Sequence, residues 1–327
     1  MAFKDVIGQE KAIGILRGYL ERDRLRGGFL FTGPEGVGKK LLALSVAKVL
    51  NCGRRNRREA CDECPACKKI GTLRHPDLHC IDGGDSEIRI ESIRQLQRAV
   101  GFKSYEGGIR VFIINDAHRL NPEASNALLK ILEEPPPASV FFLITDKPEL
   151  LFGTVVSRCK TVKCVPLNRR ELEKALVERW GRTREQAHYA AFRSEGSIGR
   201  ALGMSEAGAL TERDEIIDTF FVPPGGMPDM SRLATRDDVR RAGKVLSGWV
   251  RDMCMVKYGM ESEVINRDRL ENLREAAGRY GRRQLFGFMG VISESMRLVD
   301  QNLNVKLILS HVVSSLQETG GDIKVVS

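Results

Sequence analysis

Gly33-Pro34-Glu35-Gly36-Val37-Gly38-Lys39-Lys40 carries glycines and a lysine at the spacing G-x-x-x-x-G-K. Glycines at Gly33, Gly36 and Gly38 let backbone N–H groups turn inward around phosphate oxygens, and Lys39 supplies a point charge for the β- and γ-phosphates. The position after that lysine ordinarily holds Ser or Thr, whose hydroxyl binds Mg²⁺. Lys40 stands there instead, and an ammonium cannot ligate a cation. A second chemical pair ends the apolar run Val111-Phe112-Ile113-Ile114. A hydrolysing site needs Asp there for the metal and Glu to polarise water, but this chain has Asn115 and Asp116. Two independent departures predict a pocket that can cradle ATP without efficient hydrolysis.

Four of the eight cysteines, Cys52, Cys61, Cys64 and Cys67, fall within 16 residues. Short CxxC spacing matches tetrahedral Zn²⁺, and four protein ligands leave no open position, so the expected metal is structural. The run Arg54-Arg55-Asn56-Arg57-Arg58 between the first two ligands reads as a solvated basic knuckle. Cys80, Cys159, Cys164 and Cys254 are scattered and read as small buried residues. His75, Asp77 and His79 read as polar surface rather than metal ligands.

These groups need rigid elements behind them. Gly28-Phe29-Leu30-Phe31 predicts a buried strand, and Leu41 to Leu50 a helix. Ile13, Leu16, Tyr19 and Leu20 predict an earlier helix. A strand is expected over His75–Ile81, a helix from Ile90, and strands at 111–114, 140–144 and 161–165. Asn121 is an N-cap with Pro122 at the first helical position, and Pro135-Pro136-Pro137 stops that helix. Strands alternating with helices predict an α/β domain with a mainly parallel sheet over 1–166. After Pro166 only helices are expected: a small lid over 167–207, then a helical domain over 208–327, interrupted by Val222-Pro223-Pro224-Gly225-Gly226-Met227-Pro228.

The 327 residues carry a net charge of +9, which favours polyanionic partners without identifying them. No apolar run approaches the roughly 18 residues of a membrane span. Met1-Ala2-Phe3-Lys4-Asp5-Val6 has no signal-peptide core, so a cytoplasmic location is expected.

With these pieces placed, the sequence resembles the bacterial clamp-loader subunits of DNA polymerase III, within the wider AAA+ ATPases. The likeness rests on Val6-Ile7-Gly8-Gln9, Gly33 to Lys39, the cysteine module, Asn126 through Pro136 (NALLKILEEPP) and Ser157-Arg158-Cys159. It covers residues 3–166 strongly and the helical remainder loosely, through Gly196-Ser197 and Asn302 to Leu307. Motor subunits (gamma/tau) carry Lys-Thr and Asp-Glu where this chain has Lys39-Lys40 and Asn115-Asp116. The likeness is therefore to the non-motor delta-prime branch.

That resemblance implies an AAA+ module, a lid and a C-terminal collar, assembling with gamma/tau and delta subunits into a five-membered ring that places the sliding clamp on primed DNA. It makes Arg158 an arginine finger toward ATP on a neighbouring subunit, and Thr145 a sensor at a strand end. A lid arginine is expected near Gly199, where Arg200 stands one position later. Two other readings compete. One is a gamma-type ATPase that itself hydrolyses ATP. The other is a zinc-dependent nucleic-acid binder with an incidental phosphate loop.

Overall fold

The computed structural model describes residues 2–54, 58–84, 86–101, 104–106, 108–205, 208–221, 233–301 and 304–320. The centre of the basic knuckle (55–57), the Pro/Gly cluster at 222–228 and Asn302-Leu303 lie outside the described residues. Among the described residues no helix is long and apolar enough to cross a membrane.

The first half alternates as expected: α1 (Glu10–Glu21), β1 (Gly27–Thr32), α2 (Lys39–Asn51), α3 (Pro65–Gly71), β2 (Leu78–Asp82), α4 (Ile90–Val100), β3 (Arg110–Asn115), α5 (Pro122–Glu133), β4 (Ser139–Thr145), α6 (Gly153–Val156) and β5 (Cys159–Lys163). The five strands form one parallel sheet in the order β2-β3-β4-β1-β5. Strand alternation sorts its side chains onto two faces. Phe29, Phe31, Val111, Ile113, Phe142 and Ile144 pack with α1, α2 and α3. Leu30, Phe112, Ile114, Phe141 and Leu143 pack with α4, α5 and α6. Burial on both faces explains the near-continuous apolar runs in the central strands. Asn121 caps α5 by accepting a hydrogen bond from Ala124 N at 2.8 Å, and Ala124, Leu128, Ile131 and Leu132 are its buried stripe.

Later helices are α7 (Arg169–Trp180), α8 (Arg184–Arg193), α9 (Ile198–Met204), α10 (Ala209–Phe221), α11 (Arg236–Lys257), α12 (Leu270–Arg279), α13 (Arg282–Asp300) and α14 (Val305–Gly320). Contacts divide the chain into two compact units, Met1–Leu172 with Ser194–Ala201, and Glu173–Arg193 with Leu202–Ser327. The stretch 167–207 is therefore shared rather than separate. Leu167 N donates to Gly196 O, and Ser197 and Gly199 bond to the phosphate loop, whereas His188 bonds Val264 O in the helical unit. That unit packs around Trp249, Val250, Met253, Leu273 and Phe288.

Two expectations are corrected. His75-Asp77 is a buried turn before β2, not polar surface: the Asp77 carboxylate accepts from Tyr105 N and Glu106 N, and His75 Nδ1 accepts from Asp77 N. Backbone donors brought from 28 and 29 residues away make that burial tolerable. Half-buried His79 stacks on Phe112. Cys80 is exposed on the edge strand and Cys159 and Cys254 are partly exposed; of the scattered cysteines Cys164 is buried.

Candidate functional site

β1 delivers the chain to the glycine loop, and the loop is held from behind. The Gln9 side chain, 2% exposed, donates to Val37 O and Val165 O and accepts from Val165 N. Gly33 has φ 139°, and a Cβ there would lie 2.2 Å from Cys164 O. Gly36 has φ 74°, and its Cβ would lie 2.4 Å from Ser197 Oγ. Ser197 Oγ donates to Glu35 O at 2.8 Å, and Gly199 N to Gly36 O at 2.9 Å. Side chains at these two positions would break the loop's contacts as well as its backbone.

Lys39 is buried beneath the loop and donates to Gly33 O at 2.6 Å and Pro34 O at 2.7 Å. Burial lowers its pKa, opposed by the nearby Asp146 and Asp116 charges. A cavity of about 290 Å³ opens beside it, lined by Gly36, Gly38, Lys39, Lys40, Asn115, Asp116 and Asp146 among others. Most of the sequence-derived pocket residues thus converge. Thr145 lies just below, 1% exposed, accepting from Lys147 N and hydrogen-bonded to His118 Nδ1 at 3.1 Å.

Lys40 has a partner that the sequence did not disclose. Its Nζ sits 2.7 Å from Asp82 Oδ2. Asn115 Nδ2 donates to Asp82 Oδ1 at 3.1 Å and to Asp116 Oδ2 at 3.0 Å. Hydrogen bonds from Lys40 and Asn115 hold the Asp82 carboxyl below the usual range. Burial, then the Asp82 charge, pushes Asp116 upward. An internal ammonium–carboxylate–amide chain thus occupies the side of the pocket where a hydroxyl and a carboxylate would otherwise hold a metal. Asp82 was overlooked because it ends an edge strand 42 residues from Lys40; the signal available was its place at a strand's C-terminal end beside β3.

Arg158 is not among the residues lining that cavity. It follows α6, and its guanidinium donates to Glu133 Oε1 from Nε at 2.8 Å and to Thr154 O at 3.0 Å, with the side chain 35% exposed. Arg200 lies at the loop, 3.4 Å from Glu195 and 3.6 Å from Glu35. Glu133 sits in the α5 motif, but no local pattern links it to Arg158.

The four clustered thiols converge in space. Their sulfurs all lie within 4.8 Å of one another, and Cys61 and Cys67 are 3.9 Å apart. Tetrahedral Zn–S bonds place sulfurs roughly 3.8 Å apart, so the set fits a closed metal centre after small side-chain adjustments. Cys64 N donates to Cys61 Sγ at 3.3 Å. Backbone donors from Cys64 and Glu63 bring the Cys61 thiol down to about 6, favouring the thiolate a metal needs. The buried Lys48 ammonium pairs with Asp62 at 2.5 Å and ties the ligand loop to α2.

A sequence-family model described as "DNA polymerase III, delta subunit" matches residues 8–168. The DNA polymerase III subunit delta' of Bacillus subtilis (strain 168) is 27% identical over 329 aligned residues, covering 95% of this chain and 96% of that protein. The delta' subunit of Pseudomonas aeruginosa is 38% identical over 138 residues, 42% of each chain. The tau subunit of Escherichia coli (strain K12) is 35% identical over 225 residues, 67% of this chain but 35% of that protein. End-to-end similarity is thus to a delta' subunit, and similarity to tau stops within its first listed third of length coverage. With its five-stranded parallel sheet, phosphate-type loop and helical second unit, the chain belongs to the delta' branch of the DNA polymerase III clamp-loader subunits, an AAA+ family.

Proposed function

We propose that this clamp-loader subunit works as a non-motor member of its assembly, offering Arg158 to ATP held by a neighbouring gamma/tau subunit. The observation that carries the reading is the Lys40–Asp82–Asn115 chain, which fills the metal side of this chain's own pocket. A site so rearranged is poorly suited to Mg²⁺-dependent phosphoryl transfer, which requires the metal to bridge phosphate oxygens. ATP, if held by Lys39 and the loop amides, stays intact. Arg158 is exposed and outside that cavity, available to a second chain. A guanidinium supplied in trans stabilises transition-state charge and is worth about 10³–10⁵ in rate in related phosphoryl transfers.

On this reading gamma/tau and delta subunits complete a five-membered cytoplasmic ring, and ATP turnover in the ring loads the sliding clamp on primed DNA. Zn²⁺ at Cys52, Cys61, Cys64 and Cys67 is structural: it orders a basic loop and touches no substrate. The division into AAA+ module (1–166), lid (167–207) and collar (208–327) describes the functional parts. The test is ATP turnover by the complete assembly carrying Arg158→Ala in this chain, beside turnover by the chain alone. Depressed assembly turnover with an inactive isolated chain supports the reading. Hydrolysis by the isolated chain that Lys39→Ala removes makes it a motor subunit instead.

A further inference from the structure

The C-terminal ends of β3 and β4 bring together three donors that the nucleotide reading leaves unused. Asp116 follows β3, His118 lies two residues on, and Asp146 follows β4. One ligand atom from each lies within 4.8 Å of the other two, and His118 Nδ1 is 3.6 Å from Asp146 Oδ1. The His118 side chain is 8% exposed, so the imidazole is held in place. Thr145 Oγ1, itself fixed by Lys147 N, hydrogen-bonds that ring. Asp116 and Asp146 both face the cavity of about 290 Å³. Among the described residues neither carboxylate has a Lys or Arg within ion-pair distance. Lys40 is engaged by Asp82, and Lys39 is engaged by Gly33 O and Pro34 O.

We infer that Asp116, His118 and Asp146 form a divalent-cation site of their own, binding a first-row ion such as Mn²⁺ through two carboxylates and one imidazole. Metal–oxygen and metal–nitrogen bonds of about 2.1 Å place neighbouring ligand atoms roughly 3 Å apart. The 3.6 Å pair is close to that already, and modest carboxylate rotation brings the third atom in. The donor set is harder than the four-thiolate cluster, so the two sites sort their ions: thiolates take zinc, and the oxygen-rich set takes manganese. Three protein ligands leave open positions toward the cavity. The site lies apart from Lys40, so the ammonium that blocks the usual metal position does not block this one.

The inference rests on reading this cavity as a ligand pocket, but not on nucleotide being there. The full chain, with its zinc content measured, is titrated with Mn²⁺ alone, and free Mn²⁺ is followed by its electron paramagnetic resonance signal. Uptake of one ion per chain without nucleotide is expected. His118→Ala and Asp146→Asn each weaken it by about tenfold or more while zinc content and melting temperature hold. If His118→Ala fails to fold, Asp146→Asn carries the test. No uptake, uptake that the variants leave unchanged, or uptake only after ATP is added overturns the site. ATP binding measured in EDTA reports separately on whether the pocket holds nucleotide.

Discussion

Lys40 and Asp82 meet at 2.7 Å, joining the start of α2 to the last residue of β2, and the Asn115 amide locks the far carboxylate oxygen. Both partners are substantially exposed, so the pair adds little to stability. Its consequence is positional: it puts a fixed ammonium where a metal would sit. The Asp82 carboxyl is depressed first by Lys40 and then by Asn115. A depressed carboxyl contributes its pairing above the unfolded value and loses it only as pH falls through the folded value. The pair therefore persists at neutral pH and dissolves only below the usual carboxylate range of about 3.9. Carboxyl NMR titration should find Asp82 below that value in the native chain and closer to it in Lys40→Thr. An unchanged Asp82 titration in the variant contradicts the pairing.

Removal of the cysteine-bound metal should act on folding of the sheet unit. Cys52 and Cys67 are buried within the core that includes α2 and α3, so an empty cluster leaves thiols without partners inside it. Cys67→Ser should reduce bound zinc from about one per chain to near none and expose 53–66 to protease. Chelation should do the same reversibly. A chain that keeps its protease resistance and melting temperature without metal shows the cluster to be dispensable for this fold.

Asp252 organises the helical unit from a fully buried position. One carboxylate oxygen accepts from Ile265 N, Asn266 N and Asn266 Nδ2, each at 2.8 Å, while the other pairs with Arg251 at 2.9 Å. Burial raises its pKa against those hydrogen bonds. Asp252→Ala strands three donors and should cost about 3 kcal/mol in denaturant unfolding. Asp252→Asn keeps the shape but turns an acceptor into a donor, and should recover only part of that loss. A cost under about 0.5 kcal/mol for Asp252→Ala means the loop finds other acceptors.

Where local chemistry dictated structure, it was legible. The glycine loop, the Asn121 cap, the Pro135 stop and the four-cysteine spacing each act over a few residues, and each element stands where those signals put it. What escaped were pairings across sequence. Lys40 with Asp82, Arg158 with Glu133, and Asp77 with the backbone at 105–106 depend on which strands and loops become neighbours. His75 and Asp77 read as surface because composition alone cannot reveal that distant backbone donors will satisfy a buried carboxylate. The lid boundary was missed for a similar reason: Gly36 and Gly199 are drawn together by a hydrogen bond that no periodicity announces.

Arg158 offers the last test, because its guanidinium is already occupied. Glu133 takes Nε and the Nη2 end, at 2.8 and 2.6 Å, while Thr154 O takes Nη1. An exposed pair of this kind is worth about 0–1 kcal/mol, so phosphate oxygens on an adjoining subunit can displace it readily. If Glu133 only parks the arginine, Glu133→Gln should leave assembly turnover within about threefold of the native value, since little binding energy is at stake. Arg158→Ala should abolish turnover at the interface it serves, and Arg158→Lys should rescue little of it, because an ammonium lacks the two-pronged fork. Steady-state ATP hydrolysis by the complete assembly reads all three variants. A Glu133→Gln loss as deep as that of Arg158→Ala would instead make Glu133 the residue that aims the guanidinium.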